Sequence, residues 1–213
     1  MQAYQREFLE LAIRRGALSF GTFTLKSGRV SPYFFNIARL CRGDDLLCLG
    51  RCYAQVLSGH HVEYDMVYGA AYKGIPLACA VSMALWETQQ RSIPWSFSRK
   101  ETKDHGEGGD VVGAPLSGRV LLVDDVVTAG TAVGVASRVI STAGAQLAAV
   151  AIALNRQERG SDADSTVSEL EHALRVPVLS IVTLDDLLGY LAGTPELRHH
   201  SRALQDYRLQ YGV

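Results

Sequence analysis

Five short apolar runs, at 65–69, 93–98, 119–123, 147–154 and 178–183, alternate with helix-like segments at 75–89, 131–143 and 163–174. Runs this short and this apolar suit strands covered on both faces, and the intervening segments are long enough to carry the chain back across a sheet. The alternation predicts an α/β fold: a parallel central sheet flanked by helices on both faces. Ahead of it, Phe8, Leu9, Ala12 and Ile13 recur at helical spacing and Gly16 follows, which predicts an amphipathic helix over 3–15. Phe20, Phe23, Leu25, Tyr33, Phe34 and Phe35 then mix with Gly21, Gly28 and Pro32, the mark of short strands and turns. A helix over 44–57 comes next. Residues 184–211 read as two helices parted near Gly193-Thr194-Pro195, with packing as their only assignable role.

No repeat, low-complexity tract or linker divides the 213 residues, so 1–213 is expected to be a single domain, with 1–40 as an N-terminal elaboration. A hydrophobic share of 47% excludes a disordered chain. The formal charge of -1 excludes a global basic field for nucleic acid, so any polyanion must be held by a local cluster. The opening residues lack an apolar leader and no run approaches the length of a membrane span, which predicts a cytoplasmic protein. Cys41, Cys48, Cys52 and Cys79 have neither CxxC spacing nor a nearby set of histidines, and their apolar neighbours predict buried, reduced thiols.

In a parallel sheet, ligands bind beyond the C-terminal ends of the strands. One such end reads Val120-Leu121-Leu122-Val123-Asp124-Asp125-Val126-Val127-Thr128-Ala129-Gly130-Thr131-Ala132. A helix start exposes unpaired N–H groups and the positive end of a dipole; Gly130 lets the backbone approach an oxyanion, while Thr128 and Thr131 add hydroxyl donors. Asp124 and Asp125 would repel a phosphate, so they suit sugar hydroxyls or a hydrated Mg²⁺. A phosphoacceptor receiver domain also ends a strand in an Asp pair, but it needs a further strand-end Asp where this chain has Leu154-Asn155-Arg156. A Walker loop is excluded, because Gly69-Ala70-Ala71-Tyr72-Lys73-Gly74 continues Ile75-Pro76.

That Gly69–Pro76 turn joins a strand to a helix and makes a second anion site, with Lys73 facing the same cleft. Residues 99–110, from Arg99 through Lys100, Lys103 and His105 to Asp110, lack an apolar or helical pattern and predict a mobile basic loop able to close over an anion. The chain has four lysines, Lys26, Lys73, Lys100 and Lys103, and all of them fall in candidate site segments. Phe34 and Phe35 could sandwich a planar ring whose carboxylate Arg156 would hold through its guanidinium fork.

Residues 120–132 resemble the phosphoribosyl-diphosphate signature of type I phosphoribosyltransferases. With Thr24-Leu25-Lys26-Ser27-Gly28-Arg29, Ser31-Pro32-Tyr33-Phe34-Phe35-Asn36, Tyr72-Lys73-Gly74-Ile75-Pro76 and Arg99-Lys100-Glu101-Thr102-Lys103-Asp104-His105-Gly106-Glu107-Gly108-Gly109, the chain resembles the bacterial-type orotate phosphoribosyltransferase family nearly end to end. The resemblance implies Mg²⁺-dependent transfer of phosphoribosyl from its diphosphate to orotate, a step of pyrimidine synthesis towards UMP. It implies that 124–132, including Val126, Val127, Ala129 and Ala132, bind phosphoribosyl diphosphate, Thr128 to Ala132 at the 5-phosphate and the aspartates at the ribose. Tyr72, Lys73, Arg99, Lys100, Lys103 and His105, with Lys26 nearby, would surround the diphosphate; Phe34, Phe35, Thr128 and Arg156 would bind orotate. Lys103, Asp124 and Asp125 are the implied catalytic set, and a homodimer with each lid reaching the neighbouring site is the implied assembly. Another base, or a non-catalytic sensor of the donor, are the alternatives; Arg156 favours a carboxylated base and the complete lid favours catalysis.

Overall fold

A computed structural model describes residues 1–103, 109–127, 130–160 and 164–213, with 100–103 and 109–110 described as backbone. The chain opens with helix α1 (Ala3–Arg14), whose Phe8, Leu9, Leu11 and Ala12 are buried. Strands β1 (Leu18–Thr24) and β2 (Val30–Phe35) follow and pair antiparallel as a separate two-stranded sheet, a small hood. Helix α2 (Gly43–Gly59) leads into the main sheet of β3 (Met66–Gly69), β4 (Trp95–Lys103), β5 (Gly109–Gly113), β6 (Arg119–Val126), β7 (Gln146–Asn155) and β8 (Val178–Thr183). Helix α3 (Gly74–Gln89) joins β3 to β4, α4 (Thr131–Thr142) joins β6 to β7, and α5 (Thr166–Leu174) joins β7 to β8. Helices α6 (Leu184–Gly193) and α7 (Ser201–Tyr211) complete the chain.

The six strands lie in the order β5-β4-β3-β6-β7-β8. All neighbouring pairs are parallel except β4–β5, which is antiparallel, so the sheet is mixed rather than wholly parallel as expected. The reason lies in the basic segment: it is not a loop from Arg99 onward, because β4 continues to Lys103 and returns as β5. An edge hairpin holds itself by main-chain hydrogen bonds and needs no apolar side chains, so the polar composition of 99–103 hid a strand.

Side chains alternate across most of β6 and β7. Leu121, Val123, Ala149, Ala151 and Ala153 face a core built with α1, α2, α3, α6 and α7, whereas Val120, Leu122, Val150 and Ile152 face α4 and α5. The hood joins the larger core through Tyr33 and Phe35. The cysteines depart from expectation: Cys52 is buried, Cys48 and Cys79 are partly exposed and Cys41 is exposed, all as free thiols. For Cys48, Cys52 and Cys79, apolar sequence neighbours do not settle burial on a helix, where successive side chains point in different directions, and Cys41 lies in the connection before α2. No helix among the described residues is long and apolar enough to cross a membrane.

The start of α3 lies hard against the end of β3. A Cβ on Gly69 would stand 2.0 Å from the Gly74 carbonyl oxygen, and one on Gly74 would stand 3.1 Å from the Val123 carbonyl oxygen. These are backbone contacts that cannot yield by side-chain rotation. Gly69→Ala is therefore expected to lower folding stability by about 3 kcal/mol, read as a shift of the urea midpoint.

Candidate functional site

Register places Gly69, the end of β3, level with Phe97 of β4 on one side and Val123 of β6 on the other. Residues 70–73, 98–99 and 124–127 therefore share one edge of the sheet. Strand order also reverses there, since the chain goes from β3 outward to β4 and then returns to place β6, β7 and β8 on the opposite flank. Such a switch point opens a crevice beyond the strand ends.

The structure closes that crevice with charge. Lys73, which precedes the first turn of α3, reaches across to Asp125 with Nζ 2.6 Å from Oδ2. Asp124 and Asp125 are only 9% and 4% exposed although both end a strand in a buried run. The Asp125 N–H donates to Asp124 Oδ1 at 2.8 Å, and the Tyr53 hydroxyl donates to the Asp124 carbonyl at 2.7 Å. Burial, reinforced by the charges of the aspartates, pushes the Tyr53 phenol well above its ordinary pKa, so it stays a donor. Burial first, and the adjacent Asp125 charge second, push the Asp124 carboxyl up to about 7. Beside this pair, the Ala71 N–H donates to Ser98 Oγ at 3.1 Å and ties the turn after β3 to β4. Arg99 Nη1 is buried with no hydrogen-bond partner among the described residues.

Past β6, Val127 is buried, and Thr128 and Ala129 lie outside the described residues. Gly130 starts α4 in the left-handed region (φ 68°), a conformation glycine adopts without strain, and Thr131 and Ala132 are exposed. His105 and the side chains of Lys100 and Lys103 also lie outside the described set; the Lys103 backbone pairs with Gly109. Tyr72 is exposed on the edge, and Lys26 is exposed in the β1–β2 connection.

Phe34 and Phe35 part company, because adjacent strand residues face opposite sides. Phe34 is 41% exposed and stacks beside Phe23, with ring centroids 5.5 Å apart, whereas Phe35 is core and packs 6.0 Å from Phe8. Arg156, following β7, is buried. Its Nε meets Glu158 Oε1 at 2.5 Å, its Nη2 meets Ser31 Oγ at 2.9 Å and Tyr207 Oη at 3.3 Å, and its guanidinium lies 4.1 Å from the Tyr33 ring centroid. The hood and α7 thus meet at the end of β7.

Sequence reading missed Tyr53, Ser98, Glu158 and Tyr207. Tyr53 and Tyr207 sit in apolar helical patterns indistinguishable from core, and Ser98 offers no local signal. Glu158, two residues from Arg156, was the one readable hint, as a nearby counter-charge. A further cavity of about 650 Å³ opens at the opposite edge of the sheet, beside Tyr64, Arg91 and Arg119. Arg119 is already paired with Asp65 and Glu63, and Arg91 with Tyr64, so its cations are spent within the protein.

Residues 50–178 match the phosphoribosyl transferase domain family. The orotate phosphoribosyltransferase of Pseudomonas paraeruginosa is 54% identical over 213 residues, all of both chains, and that of Pectobacterium carotovorum is 53% identical over the same span. The crystal structure of orotate phosphoribosyltransferase from Francisella tularensis superposes with a TM-score of 0.85 at 36% identity, covering 97% of this chain and 99% of that one. The chain belongs to the phosphoribosyltransferase family and is a pentosyltransferase. Within that family it stands with the orotate phosphoribosyltransferases.

The raised Asp124 pKa has a stability consequence. A carboxyl at about 7 in the folded chain against 3.8 when free binds more protons folded than unfolded between those values. Its contribution to stability is thus complete below about pH 4 and lost as pH rises to about 7. Asp124→Asn is expected to flatten that segment of the urea-stability profile relative to the parent, measured by denaturation across this pH range.

Proposed function

We propose that this chain transfers the phosphoribosyl group from 5-phospho-α-D-ribose 1-diphosphate to orotate, giving orotidine 5′-phosphate and diphosphate, with 1–213 acting as one domain. The reading is carried by the Lys73–Asp125 contact at the switch point, where a buried acidic pair and a displaceable cation face one crevice. Donor binding would exchange that contact: Lys73 turns to the diphosphate, and Asp125 is released to accept hydrogen bonds from the ribose hydroxyls beside Asp124. The 5-phosphate would take the segment from Thr128 to Ala132, where Gly130 lets the backbone close in and the first amides of α4 have no intrahelical partner. Phe34 would cover the orotate ring; Phe35, held in the core, could meet it only through main-chain atoms. Arg156, its plane set by Tyr33, Ser31, Tyr207 and Glu158, would supply positive charge to the orotate carboxylate.

As the bond to diphosphate breaks, positive charge grows on the ribose and negative charge on the leaving group. Cations at the diphosphate, drawn from Lys73, Arg99, Lys100 and Lys103, therefore favour the transition state over the ground state. Mg²⁺ would neutralise the diphosphate. The acidic pair fits a hydrated ion and not a protein cage, since one oxygen of each aspartate is already engaged by Asp125 N–H and by Lys73. An octahedral ion would take most of its ligands from substrate and water.

We further propose a homodimer in which residues 99–110 act as a lid over the neighbouring site. Lys103 lies six residues on from Phe97, which is level with the end of β3, a reach of about 20 Å beyond the sheet edge. Helix α3 is apolar on both sides: Leu77, Ala78, Val81 and Leu85 are buried, while Met83 and Trp86 stand exposed as a face for a second copy. Four cysteines without a disulfide fit a cytoplasmic setting.

Loss of orotate absorbance with the donor and Mg²⁺ tests the reaction directly; turnover of uracil or a purine instead would point to the competing base. Lys103→Ala should lower turnover by roughly 10² to 10⁴, and a near-parental rate removes that role. Mixing Asp125→Asn with Lys103→Ala chains should restore one complete site per mixed dimer. Verified heterodimers that stay inactive would rule out a lid acting in trans.

A further inference from the structure

We propose that Glu7 of α1 with Cys48 and Cys52 of α2 forms a site for one thiophilic divalent cation of the zinc and cadmium class, clamping the two helices together. The carboxylate oxygen and the two sulfurs lie within 4.8 Å of one another, although the residues come from segments 41 positions apart in the chain. Cys48 and Cys52 are one helical turn apart and so share a face of α2. Cys52 is buried, Cys48 is partly exposed and Glu7 is exposed, which gives the cation a path from solvent to a sheltered pair of sulfurs.

Two chemistries compete for such a pair. A disulfide requires Cβ atoms about 3.8 Å apart, whereas residues four apart on a helix hold theirs about 5–6 Å apart. Closing that bond would unwind a turn of α2. A cation about 2.3 Å from each sulfur bridges the wider separation without moving the backbone. Two thiolates and one carboxylate form a borderline-soft set that selects zinc-like ions over Mg²⁺, and three protein ligands leave a fourth tetrahedral position to water. The site is therefore chemically distinct from the Mg²⁺ of the proposed reaction.

In the metal-free chain the Cys52 S–H donates to the Tyr4 carbonyl at 3.5 Å, a contact with α1 that the bound cation would replace. The next residue, Tyr53, holds the Asp124 carbonyl, so the clamped helix is the one that supports the acidic pair.

The test uses the full-length chain, reduced and freed of metal, titrated with Cd²⁺ while the ultraviolet thiolate-to-metal band and the thermal midpoint are followed. Saturation at one equivalent per chain with a raised midpoint is expected, and excess Zn²⁺ should compete with Cd²⁺ for the same site. Cys48→Ser and Glu7→Gln, both at accessible positions, should each weaken binding about tenfold or more. A Cys41→Ser/Cys79→Ser double variant should bind as the parent does. Absence of saturation at one equivalent, a band that survives Cys48→Ser, or a band lost in the double variant would overturn the site.

Discussion

The ion pair between Lys73 and Asp125 crosses the line along which the sheet changes direction, and the arrangement of the site depends on it. Two adjacent carboxylates are held almost out of water at the end of β6. Uncompensated, they would repel each other and lose hydration with nothing in return. The protein answers with one half-exposed cation from across the crevice, a main-chain N–H and a raised pKa for the Asp124 carboxyl. Lys73 stands at the start of α3, where β3 and α3 meet through two glycines without room for a Cβ between them. The packing of the fold and the electrostatics of the site are thus the same constraint seen at two scales.

A second junction forms where the hood and α7 meet the end of β7. Arg156 is buried between the Tyr33 ring and the Tyr207 hydroxyl, with Glu158 as counter-ion and Ser31 as acceptor. Glu158 also accepts from the Tyr207 hydroxyl at 2.7 Å and pairs with Arg29 at 3.2 Å. A buried guanidinium is tolerated when its donors are matched in this way, and its orientation is then fixed. The C-terminal helix, legible in the sequence only as packing, contributes a polar side chain to this network.

The alternation of apolar runs and helical segments foretold the α/β layers because both periodicities are local: a strand buried on two faces and a crossover helix each leave their pattern in a short window. The acidic pair, the Gly69–Pro76 turn and the start of α4 were legible for the same reason. The β4–β5 hairpin was not, since edge pairing uses backbone groups that every residue carries. Nor was the separation of Phe34 from Phe35, which follows from which face of β2 meets the core, or the burial of Cys52 against the exposure of Cys41.

Sequence alone determined the fold class, the strand-end acidic pair, and the residue types of the two strand-to-helix turns, because each is encoded in a contiguous stretch. Tertiary structure alone decided which of these stretches meet. Strand order made β3 and β6 neighbours and so set Lys73 against Asp125; the docking of the hood and α7 enclosed Arg156; the crossing of α1 over α2 gathered Glu7, Cys48 and Cys52. Contacts of that kind arise from long-range packing, whose partners share no window of sequence.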